Sequence, residues 1–281
     1  MATRLRPGQY AFENDRTIVA YYVRGRGPPC FVAPYPWGLN SDVQRSFFRR
    51  FEKYLTLIYH DPPGTGRSGP AMAVRDLGMK RVVSDIFSLQ SRLEVGRAAF
   101  IGHSGGSACA LSYALRHPER VSKLVLIGAG ARMPDVLQHP QVRETLFAAG
   151  RERDEDAFRR LLANYLGPEI RTRAGKIAMG RAVKSGMNFN LDRAAYSFEE
   201  LGRWDVGGEL GGLDVRTLIM AGRHDRLTPP SLARELKRAV SKSRLVTFAE
   251  SGHFPFLDEP KRFQEEVLSF LEVDVRLRGQ P

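Results

Sequence analysis

Three side chains of this 281-residue sequence could together cut an acyl bond: Ser104, Asp225 and His253. A serine hydroxyl is a weak nucleophile at neutral pH. It needs a base to take its proton and an acid to orient and charge-stabilise that base. Ser104 stands in Gly102-His103-Ser104-Gly105-Gly106, a G-x-S-x-G pattern. Such a turn strains the serine's backbone, so the residues two before and two after it must lack colliding side chains, as Gly102 and Gly106 do. Glycine-serine clusters also make ordinary turns, and the pentapeptide gains weight only from its surroundings. Asp225 follows in Gly222-Arg223-His224-Asp225, and His253 in Glu250-Ser251-Gly252-His253.

Each of the three needs an element to hold it. Residues 98–101 are small or apolar without alternation, as suits a strand covered on both faces, and Ser107 to Leu115 is compatible with a helix. Gln9 to Glu13 and Thr17 to Val23 predict a hairpin around Asn14-Asp15-Arg16. Cys30 to Ala33, Leu55 to His60, Lys123 to Gly128, Arg216 to Ala221 and Arg244 to Phe248 complete eight expected strands. Ser41 is a candidate cap for a helix bearing Phe47, Phe48 and Phe51, and Val82, Val83, Ile86, Leu89 and Leu93 mark a longer one. Strand-helix alternation of this kind requires right-handed crossovers and a mostly parallel sheet. Ligands on such a sheet gather at the strands' carboxyl ends, and all three candidates lie just beyond a strand. Residues 132–210 break the alternation with helical patterns, clearest over Asp154 to Leu166, where Phe158, Leu161, Leu162 and Tyr165 share one face. The expected organisation is a core of residues 1–131 and 211–281 with a helical cap over 132–210.

Four motifs together resemble the α/β-hydrolase superfamily, over roughly residues 8–272. They are Asp61-x-x-Gly64-x-Gly66-x-Ser68, Gly102-x-Ser104-x-Gly106, Leu213-Asp214-Val215-x-Thr217-Leu218 leading to Gly222-x-x-Asp225, and Gly252-His253. The resemblance implies the α/β-hydrolase fold: a mostly parallel eight-stranded sheet flanked by helices, with the cap inserted after the sixth strand. It also implies Ser104 as nucleophile, Asp225 as acid, His253 as base, and no cofactor. Where the family has a His-Gly-x-Pro-like oxyanion turn, this chain reads Ala33-Pro34-Tyr35-Pro36-Trp37. Prolines cannot donate, so the N–H groups of Tyr35 and Gly105 are the expected oxyanion pair.

More narrowly, Gly252-His253-Phe254-Pro255-Phe256-Leu257-Asp258-Glu259-Pro260 is similar to proline iminopeptidases and their esterase and lactonase relatives. Those peptidases typically carry Gly-Gly-Ser-Trp-Gly at the elbow, whereas this chain has His103 and Gly105 beside Ser104. A peptidase also needs acids for the substrate's amino terminus, and Glu199-Glu200 are the candidates. The leading expectation is hydrolysis of a small, largely apolar carboxylic ester or lactone through an acyl-enzyme. The alternatives are an iminopeptidase-like aminopeptidase, and a receptor-like, lyase or cyclase use of the same scaffold. A serine at the elbow argues against the epoxide hydrolases and haloalkane dehalogenases that share this fold but use a carboxylate nucleophile.

Trp37, His103, Phe147, Met187, Phe189, Tyr196, Trp204 and Phe254 are the expected substrate-pocket residues, although His103 points the other way along the strand from Ser104, which better suits a packing or hydrogen-bonding role. Asp135, after the strand ending at Gly128, is the rival acid. The net charge of +12 invites a nucleic-acid partner. Residues 1–131 carry 18 basic and 9 acidic groups, scattered rather than clustered, with no zinc-ligand spacing and no base-stacking motif, so nucleic acid is not expected. Six histidines without paired spacing argue against a metal site. Cys30 and Cys109 are too few for a disulfide framework and are expected as buried thiols. No apolar run approaches a membrane span and no signal core follows Met1 to Gly8. The expectation is a cytoplasmic monomer or homodimer acting on a small molecule.

Overall fold

The computed structural model describes residues 5–133, 148, 154–184 and 189–273. Its eight strands are β1 (Gly8–Asn14), β2 (Thr17–Gly25), β3 (Pro29–Val32), β4 (Thr56–His60), β5 (Ala98–His103), β6 (Val121–Ile127), β7 (Thr217–Gly222) and β8 (Ser243–Phe248). They form one sheet in the order β1-β2-β4-β3-β5-β6-β7-β8. β2 pairs antiparallel with β1 and β4, and every other pairing is parallel. Among the described residues the helices of seven residues or more are α1 (Asp42–Phe48), α2 (Met79–Arg92), α3 (Gly105–Arg116), α4 (Glu155–Leu166), α5 (Arg173–Lys184), α6 (Leu191–Gly202), α7 (Pro230–Ala239) and α8 (Pro260–Leu271). The strand order reverses between β3 and β5, which opens a crevice at their carboxyl ends. The Ala33 to Gly38 loop and Ser104 both enter it.

Period-two alternation divides the core into two layers. Phe31, Phe100, Leu124 and Ile219 face one layer, and their neighbours Val32, Ile101, Val125 and Leu218 face the other. The first layer is covered by α2, α3 and α7, the second by α1 and α8. Phe100 stacks on Phe31 at 5.1 Å and on Tyr113 of α3 at 4.9 Å, which seats the helix that follows the candidate nucleophile. The opening hairpin turns on Asp15 (φ +45°) and Arg16 (φ +64°), a two-residue loop whose twist suits antiparallel strands.

Ser41 does not cap α1: its hydroxyl makes no cap bond. Its N–H instead donates to Asp61 Oδ1 at 2.8 Å. The second oxygen of Asp61 accepts from the Tyr22 hydroxyl at 2.8 Å and the Arg67 N–H at 3.1 Å, while Ser68 Oγ donates to the Asp61 carbonyl at 2.5 Å. The Asp61-to-Ser68 motif therefore ties β2, β4 and the α1 entry together by hydrogen bonds.

Between β6 and β7 the chain holds α4, α5 and α6. The last is bound to the core by Arg193, which is fully buried. Its guanidinium donates to the carbonyls of Pro63 (2.9 and 3.1 Å), Leu77 (3.0 Å) and Asp76. Burial pulls this group down to about 10, so it stays charged at neutral pH. Among the described residues no helix is long and apolar enough to cross a membrane.

Replacing Arg193 by methionine keeps much of the volume but strands the buried carbonyls of Pro63 and Asp76, while that of Leu77 keeps Ser197 Oγ at 2.9 Å. It is expected to cost about 3 kcal/mol, on the scale of unsatisfied buried polar groups. Urea unfolding of the two proteins, compared at equal m, measures the loss.

Candidate active site

β5 passes into α3 through one residue, Ser104, whose backbone is left-handed (φ +53°, ψ −126°). That conformation is strained for a side chain with a Cβ and persists only where its surroundings impose it. Here they do. The Ser104 N–H donates to the Ile127 carbonyl at 2.9 Å, and the Ser107 N–H to the Ser104 carbonyl at 2.8 Å. Ser107 Oγ lies 2.8 Å from the Gly102 carbonyl and 3.0 Å from that of Ile127. A Cβ on Gly102 would stand 2.5 Å from the Gly106 carbonyl oxygen, so only glycine permits the turn. Ser104 thus stands at the N-terminus of α3, where free N–H groups and the helix dipole favour negative charge.

Asp225 and His253 leave the ends of β7 and β8 and meet. His253 Nδ1 lies 2.8 Å from Asp225 Oδ2, and Asp225 Oδ1 accepts the Thr228 N–H at 2.7 Å. Both residues are buried, the aspartate side chain completely. A carboxylate can only accept, so Nδ1 carries the proton and Nε2 is left as the basic atom. The ring's Cε1 lies against Gly128, where a Cβ would stand 2.8 Å away. Gly128 and Ser104 line the same cavity.

That cavity is narrow, about 100 Å³, with Trp37, Leu162, Tyr165, Phe198 and Trp204 prominent in its apolar wall. Of the expected pocket residues, Trp37 and Trp204 reach it. Four others do not line it. His103 is 1% exposed and lies beneath the elbow, between Tyr35 and His253. Phe254 packs into the core, 5.1 Å from His103 and 6.4 Å from Phe47. Phe189 lies in a separate groove with Met179, under the Arg159 guanidinium. Tyr196 packs at the start of α2, beside Gly78. Phe147 and Met187, and the rival acid Asp135, lie outside the described residues. Gly128, Met133, Leu227 and Thr228, not singled out by the sequence, also line the cavity, in the stretches that follow β6 and β7. The strand ends were the available signal.

The Tyr35 side chain points into the core at 3% exposure, and burial raises its hydroxyl far above the ordinary tyrosine range. Trp37 borders Gly105 instead: a Cβ on Gly105 would stand 3.1 Å from both the Trp37 ring and Pro36. The Pro36 carbonyl accepts from Ser197 Oγ at 2.7 Å, so the Trp37 N–H of the same trans peptide points away from α6. The two acids considered for an amine terminus are engaged elsewhere. Glu200 Oε2 accepts the Met79 N–H at the start of α2 (2.6 Å), and Glu199 pairs with Arg203 (2.6 Å).

His103 joins two of these parts. Its Nε2 lies 2.9 Å from the His253 carbonyl, which can only accept, so Nε2 carries the proton and Nδ1 accepts from the Tyr35 hydroxyl at 2.7 Å. Burial, with the His253 ring as a smaller contributor, holds His103 well below the usual histidine range, and burial lowers His60 as well.

A family model described as alpha/beta hydrolase fold matches residues 29–260. Over 258 residues the chain is 25% identical to a pimeloyl-(acyl-carrier protein) methyl ester esterase of Vibrio vulnificus, spanning 90% of this chain and 98% of that protein. It is similar in structure to an enol-lactonase of Burkholderia xenovorans LB400, with TM-score 0.78 and 20% identity over 94% of this chain and 100% of that one. An esterase of Exiguobacterium antarcticum gives TM-score 0.77 and 24% identity over 91% and 96%. At such identities the two structures speak for the fold alone.

The depressed histidines set a pH dependence of stability. Below about 6.5 the unfolded chain protonates His103 and His60 while the native chain does not, so the unfolded state binds more protons and stability falls as the pH is lowered. The contribution is complete above about 6.5 and is lost as pH descends toward the folded values, at up to about 1.4 kcal/mol per pH unit for each histidine. Urea midpoints between pH 7.5 and 5 should fall, and His103→Gln should show the shallower slope; equal slopes would contradict the assignment.

Proposed function

The chain belongs to the α/β-hydrolase family, and from that membership we propose that it is a serine hydrolase cleaving a small, largely apolar carboxylic ester or lactone through an acyl-enzyme. The Asp225–His253 contact at 2.8 Å, beside the cavity that holds Ser104, carries the proposal. In the first step Ser104 Oγ attacks the substrate carbonyl and its proton passes to His253 Nε2. The resulting imidazolium is stabilised by Asp225, which stays ionised. The carbonyl π electrons move onto oxygen, and that oxyanion is held by two backbone donors. Gly105 N–H is one, at the start of α3. Trp37 N–H is the other, in place of Tyr35, because Trp37 lines the cavity against Gly105. Collapse breaks the bond to the alkoxide, which leaves with the proton from His253. Water, activated by the same base, then releases the acid and restores Ser104.

The cavity wall supports the substrate class. An apolar acyl or ring group is favoured by removal from water at about 25 cal/mol per Å². Helices α4 and α6 supply Leu162, Tyr165, Phe198 and Leu201 to that wall. We assign residues 132–210 as the cap that covers the site. The engagement of Glu199 and Glu200 disfavours capture of a peptide's amino terminus. The Vibrio vulnificus relative is likewise named for cleavage of a methyl ester.

Ser104→Ala is expected to abolish turnover of p-nitrophenyl butyrate while the thermal unfolding temperature is retained, since no core volume is lost. Asp225→Asn should lose on the order of 10⁴ in kcat while still folding, the size set by loss of the correct tautomer. Initial rates on purified, folded variants check both. Turnover by Ser104→Ala at the wild-type rate would contradict the mechanism.

A further inference from the structure

One buried chain of hydrogen bonds touches three parts of the proposed machinery and has no role in the chemistry itself. Tyr35 Oη donates to His103 Nδ1 at 2.7 Å, and His103 Nε2 donates to the His253 carbonyl at 2.9 Å. Tyr35, His103 and His253 are 3%, 1% and 2% exposed, so bulk water does not compete for these bonds. His103 precedes Ser104, Tyr35 lies two residues before Trp37, and the accepting carbonyl belongs to the base. The rings of Phe254 and Phe256, at 5.1 and 4.9 Å, close on His103 from two sides.

We propose that His103 is a positioning residue: its neutral ring bridges the oxyanion loop and the His253 main chain, and so fixes the base relative to the Trp37 donor. His253 is then held twice, at Nδ1 by Asp225 and at its backbone by His103. A purely packing role would be met by an apolar ring of the same volume. The donor-acceptor order from Tyr35 through His103 to a carbonyl is the added feature, since each buried partner must be matched. The inference rests on the serine-hydrolase proposal and names a further residue of that site.

Three variants test it: His103→Leu, His103→Gln and Tyr35→Phe. Each is assayed on p-nitrophenyl butyrate, with rates expressed per site titrated by a fluorophosphonate. His103→Leu should lower kcat about 10- to 100-fold, the cost of misplacing a reacting group by up to about 1 Å, with KM nearly unchanged. His103→Gln, whose amide offers one donor and one acceptor, should recover most of that loss. Tyr35→Phe should lower kcat by a smaller factor and have no further effect on top of His103→Leu. Unchanged kcat per titrated site in His103→Leu, or glutamine no better than leucine, would overturn the proposal. If His103→Leu does not fold, Tyr35→Phe decides alone, and wild-type kcat in that variant would overturn it too. Wild-type protein that takes up no probe would remove the hydrolase proposal and this one with it, whereas normal wild-type titration with unaffected variants removes only this one.

Discussion

A parallel strand that must become a helix within one residue is the constraint on which the rest depends. Ser104 makes that reversal at φ +53°, and the strain is held by hydrogen bonds from Ser104 to β6 and from Ser107 back to Gly102. Because β6 and β7 run parallel to β5, their carboxyl ends open beside the elbow. A loop leaving β7 or β8 therefore begins within reach of the serine. The Asp225–His253 contact follows from that geometry, and both side chains are buried there.

Glu169, Arg171, Thr172, Asn190 and Ser197 hold the site loops in place. Glu169 is buried and accepts from the Arg226 N–H at 3.1 Å and its guanidinium at 2.9 Å, next to Asp225. Asp258, five residues beyond His253, accepts the N–H groups of Arg171 (3.0 Å) and Thr172 (2.8 Å). Asn190 N–H donates to the Gly38 carbonyl at 2.9 Å, and Ser197 Oγ to that of Pro36 at 2.7 Å. The loops bearing Asp225 and His253 and the turn bearing Trp37 are thus each joined to these residues. Stability and the geometry of the site share the same hydrogen bonds.

The eight strands were legible in the sequence to within two residues at each end, because buried β runs and their turn residues are local signals. The Ser, Asp and His candidates were legible for the same reason, each standing just past such a run. What escaped depended on contacts distant in sequence. Ser41 looks like a helix cap until Asp61 takes its N–H. Tyr35 and Trp37 are both bracketed by residues that suit a turn, and only the docking of Pro36 against Ser197 and Gly105 separates their surroundings. Pocket residues were the least legible. Phe254, Phe189 and Tyr196 are aromatic and near the right elements, but which face a helix presents is decided by what it docks on. The same holds for Glu200, an apparently solvated acid that completes the start of α2.

The central claim is that Ser104 is the nucleophile of a covalent hydrolytic mechanism. Intact-mass measurement after exposure to a fluorophosphonate, followed by peptide mapping, tests it most directly. The account predicts one adduct per chain, on the peptide containing Gly102-His103-Ser104-Gly105-Gly106, and no adduct once the protein is unfolded before exposure. Modification of a different residue, or equal labelling of folded and unfolded protein, would contradict it.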